Sequence, residues 1–292
     1  MESEKDCNTQ FLNMMGNTQR EDIEQELPYN EANCIMEVSD VEDIFHLYGL
    51  NIKPFHIDIY RTAMVHCSYC TRKNETYING NVNCPSNCLP LQETSNQLLE
   101  FLGDTVISTI VGKYLYDRYH TRENEGFLTK MRTKIVNGNS LAEFCNYTPI
   151  PKYMIISKQI EAMSGRQNKK ILEDTFEAFV GAMYSDFSEH CDNAMKLCET
   201  WLIGLMESNI DFSQLVLSNA NYKDIFIKKC QHTFNFIPKF FEINNDASTQ
   251  GRQYDVCIKD DNMAVLSTGS GPTKRVAENN AAYNALEYMG LM

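Results

Sequence analysis

The stretch LLEFLGDTVISTIVGKYLYDRY, from Leu98 to Tyr119, decides the fold class of this 292-residue chain. Apolar residues recur in it at helical spacing, which predicts an amphipathic α-helix. Glu100 and Asp104 lie four residues apart, so at about 100° per residue their carboxylates stack on one face of that helix. The predicted buried stripe, on another face, consists of Leu98, Leu102, Val106, Ile110 and Tyr114.

A second stretch, ILEDTFEAFVGAMYSDF from Ile171 to Phe187, repeats this arrangement. Asp174 and Glu177 lie three residues apart, and Gly103 and Gly181 stand close to the two acidic pairs. Because glycine has no side chain, the two helices are expected to approach closely and to bring four carboxylates to one site. The predicted buried side of the second helix consists of Ile171, Thr175, Phe179 and Met183.

The four carboxylates predict a site for hard divalent cations. Mg²⁺ prefers carboxylate, water and phosphate oxygens as ligands. Four acids around such ions are typical of metal-assisted phosphodiester hydrolysis, in which one ion generates hydroxide and the other stabilises the leaving oxygen. The spacing alone also fits two solvated helix faces. A regulatory Ca²⁺ site is disfavoured because the sequence has no loop of oxygen ligands with EF-hand spacing.

The remainder of the chain divides by composition. Residues 1–40 hold 2 Lys or Arg against 10 Asp or Glu, so we expect a flexible acidic extension. Residues 41–209 show helical spacing and predict an all-α domain, interrupted by a long loop from Arg72 to Asn96. Residues 220–292 contain a helix, three short β-type segments and a second helix, and this α-β-β-β-α order predicts a small α+β domain.

Composition also limits the classes of protein to which the chain can belong. The net charge is −13, and 43% hydrophobic residues are typical of a globular chain. The sequence has no run of about 18 apolar residues and no signal-peptide core, so we expect an intracellular, cytoplasmic protein that is neither secreted nor in a membrane. The negative charge argues against a nucleic-acid partner, but residues 220–292 are neutral, with 8 basic and 8 acidic residues. Cys84 and Cys88 fit either a plain loop or half of a zinc site.

Four segments resemble the ribonuclease III family. LLEFLGDTVI resembles its signature, and ILEDTFEAFVGAMY resembles its second acidic segment. YRTAMVHCSY is similar to the helix before the signature, and ENEGFLTKMRTKIVNGNSLAEF to the connecting helices. The segments occur in the family's order, and the resemblance covers about residues 41–209. It implies a helical, Mg²⁺-dependent endonuclease domain, with Mn²⁺ able to replace Mg²⁺, that pairs into a homodimer.

The resemblance implies roles for particular residues. The catalytic and metal-binding carboxylates are Glu100, Asp104, Asp174 and Glu177. Among these, Asp104 and Glu177 are the pair on which we expect activity to depend most.

Three further residues have auxiliary roles by the same resemblance. Glu125 matches an acidic position of the site that the family assembles across its dimer. Phe101 matches an aromatic residue that the family inserts into a pocket on the partner subunit, with a core position as the alternative. Gln97 departs from the family, whose signature usually begins Asn-Glu, so an auxiliary contact to RNA or water is expected to differ here.

The C-terminal segment is similar to the double-stranded-RNA-binding domain. Pro272 is expected to open its last helix, so that Lys274 and Arg275 stand in the first turn and face RNA phosphates. The loop DASTQGRQ lacks the Gly-Pro-x-His sequence often found there, so we expect modest, salt-dependent binding. A domain kept only for protein contacts is the alternative. The stripe expected to pack on the sheet consists of Ala277, Ala281, Ala285 and Met289.

Together these features predict a double-stranded-RNA-specific endoribonuclease with a two-metal carboxylate site. Each subunit of a homodimer would cut one strand, leaving 5′-phosphate and 3′-hydroxyl ends with short 3′ overhangs, as the resemblance implies. The alternative is a weak or inactive binder of double-stranded RNA that sequesters it, as a suppressor of RNA silencing does, or scaffolds an assembly. The complete set of four acids argues against this alternative, whereas Gln97 and the acidic balance leave it open.

Overall fold

The structure is a computed structural model that describes residues 28–71, 84–219, 222–246, 253–261 and 263–291. The chain divides into two compact units, Met1–Leu215 and Val216–Met292. The division falls between residue 209, where the first domain is predicted to end, and residue 220, where the second is predicted to begin. The predicted fold class, an all-α unit followed by a small α+β unit, is confirmed.

Helices make up the first unit, together with two short 3₁₀ turns, Cys67–Tyr69 and Gly165–Gln167. The helices are α1 (Val38–His46), α2 (Ile57–Ala63), α3 (Gln97–Tyr119), α4 (Glu125–Ile135), α5 (Gly138–Asn146), α6 (Ile150–Tyr153), α7 (Lys158–Ala162), α8 (Lys169–His190), α9 (Ala194–Asn209) and α10 (Phe212–Asn219). The division between the units falls within α10. In the described ranges of both units, no helix has the length and apolar character needed to cross a bilayer.

Helix α8 is the centre of the first unit, and α3 packs along it. Asn168 caps the start of α8, because its side chain accepts hydrogen bonds from the amides of Lys170 and Ile171. Burial extends around nearly the whole helix and includes the predicted buried side, which is confirmed. Large aromatic side chains fill the core around α8, namely Phe45, Tyr60, Phe176, Phe179, Phe187 and Trp201.

The predicted buried stripe of α3 is wrong at its first residue. Val106, Ile110 and Tyr114 are buried, but Leu98 is 85% exposed. A step of four residues turns an α-helix by roughly 400°, so a stripe of such steps drifts by about 40° each time. Over four steps the drift is about 160°, which places Leu98 on nearly the opposite face from Tyr114.

Residues 28–40 pack against the helical unit, although their composition predicted a flexible extension. Asn30 and Asn33 are buried, and their side-chain amides donate to the backbone oxygen of Ile156 at 3.2 and 2.9 Å. Met36 is buried as well. The packed region therefore begins before Val41, the predicted start of the domain, while residues 1–27 lie outside the described ranges.

The predicted loop from Arg72 to Asn96 is described from residue 84 onward, and no helix begins there before Gln97. The Cys84 thiol lies 3.4 Å from the backbone oxygens of Cys88 and Leu89. Neither cysteine belongs to a group of three metal-ligating side chains in the part of the chain that the structure describes. These contacts favour a plain loop over half of a zinc site.

The second unit has the predicted α-β-β-β-α order. Helix α11 (Tyr222–Lys229) continues into a π-helical turn, Cys230–Phe234. The strands form one antiparallel sheet in the order β1-β2-β3, and Ile243 bulges out of the pairing between β1 and β2. The remaining elements are β1 (Lys239–Asp246), β2 (Gln253–Lys259), β3 (Val265–Gly271) and α12 (Lys274–Tyr288).

Helix α12 packs closely on β3. The predicted stripe is confirmed, since Ala277, Ala281 and Ala285 are fully buried and Met289 is partly buried against the same core. The expected start of the helix at Pro272 is wrong. The helix begins at Lys274, because the Thr273 hydroxyl accepts a hydrogen bond from the Val276 amide and so acts as the N-cap.

Candidate active site

Helices α3 and α8 touch backbone to backbone at two glycines. A Cβ atom at Gly103 would lie 1.8 Å from the backbone oxygen of Glu177. A Cβ atom at Gly181 would lie 2.1 Å from the backbone oxygen of Leu99. No real side chain tolerates such distances, so only glycine permits this contact. The predicted close approach of the two helices is confirmed.

This contact gathers three of the four predicted carboxylates. Glu100 on α3 and Asp174 and Glu177 on α8 each present an oxygen, and these oxygens lie within 4.8 Å of one another. Asp174 and Glu177 are each only 6% exposed. Asp104, one turn along α3 from Glu100, is exposed and lies outside the trio. It acts on the site electrostatically, because its charge helps to raise the pKa of Glu177.

Burial makes the negative charge of this cluster costly. It raises the pKa of Glu177 from 4.5 to about 8, and the charges of Glu173 and Asp104 add to the effect. Burial and then the charge of Asp174 raise the pKa of Glu100. Burial also raises the pKa of Asp174, although the neighbouring Lys170 lowers it. The carboxylates therefore favour a bound positive charge.

Lys170 and Glu173 are two residues of the site that were not predicted. The Nζ atom of Lys170 lies 2.7 Å from Asp174 Oδ1 and 3.4 Å from Glu173 Oε2. Burial lowers the pKa of Lys170, but the hydrogen bond and charge of Asp174 outweigh it, so the pKa is raised overall. Lys170 lies four positions before Asp174, and Glu173 lies four positions before Glu177, and this spacing is the signal in the sequence that identifies them.

The chemistry of the donor set fits a hard divalent cation. All three clustered ligands are carboxylate oxygens, which Mg²⁺ and Mn²⁺ prefer over softer donors. Their raised pKa values show that the protein alone does not neutralise them. Lys170 supplies one positive charge, whereas the three clustered acids and the neighbouring Glu173 would supply four negative charges when ionised, so the ionised cluster is net negative.

The auxiliary residues lie at different distances from the cluster. Gln97 is the first residue of α3, one turn before Glu100, and its Oε1 atom accepts a hydrogen bond from the Ser95 hydroxyl at 3.3 Å. Glu125 is the first residue of α4, and its Oε1 atom accepts from the Thr129 hydroxyl at 2.8 Å. Helix α4 begins beyond the opposite end of α3, about 20 Å along its axis from Asp104, so Glu125 does not join the cluster of its own chain.

Phe101 lies on α3 directly after Glu100, and its side chain is 76% exposed. The alternative interpretation of Phe101 as a core aromatic is therefore wrong. Leu98, one turn earlier, is exposed as well. The two form an apolar spot beside the acidic cluster.

The second unit places its predicted RNA-binding residues at the start of α12. Lys274 and Arg275 are both exposed in the first turn of that helix. The Nζ atom of Lys274 lies 3.4 Å from Glu242 Oε2 on β1. The two cations are thus presented to solvent at the end of a helix whose free amides also attract anions.

Comparison with known proteins yields similar sequences and several solved structures that align with part of the chain. A family model described as ribonuclease-III-like matches residues 56–205. A probable ribonuclease 3 of Acanthamoeba polyphaga mimivirus is 32% identical over 202 residues, which cover 68% of this chain and 36% of that protein. A ribonuclease 3 of Streptococcus pyogenes is 33% identical over 196 residues, which cover 67% of this chain and 81% of that protein. The chain thus spans about a third of the mimivirus relative and most of the streptococcal one.

Among solved structures, the nuclease domain of a Campylobacter jejuni ribonuclease III aligns with a TM-score of 0.46 at 24% identity, over 60% of this chain and 99% of that domain. Dicer from Pichia stipitis aligns with a TM-score of 0.33 at 23% identity, over 65% of this chain and 85% of that structure.

Proposed function

The chain belongs to the ribonuclease III family, and from this membership we propose that it is an endoribonuclease that cuts both strands of double-stranded RNA. The observation that carries the proposal is the cluster of Glu100, Asp174 and Glu177, whose oxygens lie within 4.8 Å of one another at a contact between two helices. A binding protein gains nothing from such a cluster, because it repels the phosphates of its ligand.

The acids of this cluster, with Asp104 at its edge, would hold two Mg²⁺ ions, for which Mn²⁺ could substitute. When bound, such ions supply a hydroxide nucleophile at neutral pH and neutralise charge on the leaving oxygen. The contribution of the protein is to hold the carboxylates in position and to limit their contact with bulk water. The glycine contact fixes the distance between α3 and α8, and burial keeps Asp174 and Glu177 away from bulk water. Lys170 favours the ionised form of Asp174. A carboxyl group must be ionised to ligate a metal ion.

Each chain provides one acidic cluster, so cutting both strands calls for two chains. The apolar spot of Leu98 and Phe101 lies beside the cluster and suits an interface with a second copy, since exposed aromatic side chains commonly anchor interfaces. In such a homodimer, Glu125 would reach the cluster of the partner subunit instead of its own. The products would carry 5′-phosphate and 3′-hydroxyl ends with short 3′ overhangs.

The second unit would hold the duplex by its shape. Its α-β-β-β-α order is that of double-stranded-RNA-binding domains, which contact the sugar and phosphate edges of A-form RNA. Lys274 and Arg275 would contact phosphates, and we expect this binding to weaken steeply with salt. The side chain of Glu242 near Lys274 partly offsets that charge, which agrees with modest affinity.

The proposal is tested with purified wild-type protein at fixed low salt with Mg²⁺. We expect a long RNA duplex to be cut to short duplexes, while the same sequence as a DNA duplex or as separate RNA strands stays intact. Products should accept ligation adaptors that require a 5′-phosphate, and EDTA should abolish cleavage. If the protein binds the RNA duplex but never cuts it, it sequesters RNA instead. If it cuts all three nucleic acids equally, the proposed substrate class is wrong.

A further inference from the structure

Three metal-ligating side chains meet at the end of α8 that lies away from the acidic cluster. His56 precedes α2, and Glu189 and His190 are the last two residues of α8. Each offers one ligand atom, and these atoms lie within 4.8 Å of one another. All three residues are exposed. Thirteen residues separate Glu177 from His190 along the helix, which is about 20 Å, so this group is a separate site.

Buried Asp186 fixes the orientation of the first histidine. Its Oδ1 atom accepts the backbone amide of His56 at 2.9 Å and lies 3.3 Å from His56 Nδ1. Its Oδ2 atom accepts the Phe55 amide at 2.9 Å and the Tyr60 hydroxyl at 3.0 Å. A carboxylate oxygen beside Nδ1 favours the neutral tautomer of His56 that carries its proton on Nδ1, and this tautomer has the Nε2 lone pair for a ligand.

The backbone of Asp186 fixes the second histidine in the same way. The Nδ1 atom of His190 lies 2.8 Å from the Asp186 carbonyl oxygen, which can only accept, so the Nε2 atom of neutral His190 also keeps its lone pair. The Phe55 ring stacks on His190 at 4.4 Å with an interplanar angle of 10°, which restrains the imidazole. In both histidines an oxygen atom lies beside Nδ1. Such an oxygen partner commonly supports a metal-ligating imidazole.

We propose that His56, Glu189 and His190 bind a zinc-class divalent cation, with Asp186 as the positioning residue. Two imidazoles and one carboxylate are a ligand set typical of Zn²⁺ with a position left for water, whereas Mg²⁺ prefers oxygen ligands alone. Glu189 supports the proposal, because a carboxylate in the last turn of a helix opposes the helix dipole, and a bound cation offsets that cost. The ion would join the segment before α2 to the end of α8.

His120 provides a matched control on the other central helix. It follows the end of α3, its Nδ1 atom lies 2.9 Å from the Tyr116 backbone oxygen, and its ring stacks on Tyr116 at 4.7 Å. This local geometry reproduces that of His190. In the described residues, however, His120 belongs to no group of three metal-ligating side chains. Substitution of His120 therefore shows the effect of removing an ordinary histidine at a helix end, against which the loss of a metal ligand can be compared.

The test is calorimetric titration of EDTA-stripped, dialysed full-length protein with ZnCl₂ in excess Mg²⁺, which is added to compete with zinc for the acidic cluster. We expect one zinc ion per chain, with the affinity reduced by at least about a hundredfold in His56→Gln and in His190→Gln. Glu189→Gln, an exposed change that should not disturb folding, should also weaken binding. His120→Gln and Glu177→Gln should bind zinc as the wild type does.

A second readout comes from the metal itself. Co²⁺ added in place of Zn²⁺ should give visible absorption bands of a nitrogen-ligated ion in the wild type, and these should be lost in His190→Gln. The proposal is overturned if zinc binds no better to the wild type than to the His56 and His190 variants. It is also overturned if only Glu177→Gln loses zinc, because the ion then occupies the acidic cluster. Neither result bears on RNA cleavage.

Discussion

Among individual residues, Glu177 reports most directly on the charge balance of the site. Its carboxyl group is buried beside Glu173 and Asp104, and its pKa is raised to about 8. A carboxyl group with a raised pKa holds a proton in the folded state that it loses in the unfolded state. A cation that binds the cluster displaces this proton, so pH and metal act on the same residue.

This shift makes the stability of the metal-free protein depend on pH. The stabilisation from protonated Glu177 is fully present below its unfolded pKa of 4.5 and is lost as pH rises through about 8. In EDTA, we expect the free energy of unfolding to fall on the order of 2 kcal/mol across this window, after allowance for partial solvent screening. Urea unfolding at a series of pH values measures it.

Two variants isolate the contribution of Glu177. The profile of Glu177→Gln should be flatter than that of the wild type, because glutamine does not titrate. Glu143→Gln, an exposed glutamate on α5, should keep the wild-type slope. Equal slopes in the wild type and Glu177→Gln would show that Glu177 is not the titrating group.

At the level of helices and strands, the contact of α3 with α8 determines the site. The two helices carry the acids, and their glycines set how closely the acids approach. A gap between the helices would separate Glu100 from Asp174 and Glu177. The geometry of the cluster therefore depends on backbone contact as much as on the acids themselves.

Gly103→Ala should disrupt this contact. Its methyl group would overlap the backbone oxygen of Glu177, so the helices must move apart, and we expect a loss of about 3 kcal/mol or more in the free energy of unfolding. Gly112→Ala on the same helix is the matched control. Nothing lies within 4 Å of a Cβ atom there, so alanine should stabilise by up to about 1 kcal/mol. Chemical denaturation measures the free energy of unfolding of both variants. An equal change in the two variants would contradict the close contact at Gly103.

The sequence predicted those features that depend on spacing within one element. The spacing of Glu100 and Asp104 by one helical turn, the buried side of α8 and the α-β-β-β-α order of the second unit follow from periods of 3.6 and 2 residues. The exposure of Leu98 follows from the same helical geometry, because four-residue steps drift by about 40° each, and the predicted stripe did not allow for this drift. The packing of Asn30 depends instead on a contact with Ile156, which is distant in the chain. The meeting of His56 with His190 joins residues far apart in the chain, and no local period encodes it.

For the whole molecule, the proposed cleavage of both strands would require two chains to pair. The exposed Phe101 ring lies next to the acidic cluster, so the interface and the active site would share one surface. Such an arrangement would make assembly a condition for cutting both strands in one encounter. A single chain would present one cluster and could cut only one strand at a time.

Phe101→Ala should weaken dimerisation. Loss of an aromatic anchor typically costs about 2 kcal/mol at an interface, which corresponds to a dissociation constant roughly 30-fold higher. Tyr116→Ala is the matched control, because Tyr116 is an exposed aromatic residue on the same helix. Sedimentation analysis over a concentration series gives both constants. If Phe101→Ala and Tyr116→Ala associate as the wild type does, the interface lies elsewhere.

The most direct test of the acidic cluster as the catalytic site is the rate of RNA duplex cleavage by Glu177→Gln beside Glu143→Gln, at saturating Mg²⁺ and fixed low salt. We predict that Glu177→Gln still binds the duplex but cleaves it at least about a hundredfold more slowly, because a charged ligand of the cation is lost. Glu143→Gln should cleave at the wild-type rate. Cleavage by Glu177→Gln at the rate of Glu143→Gln would contradict the assignment of the cluster as the catalytic site.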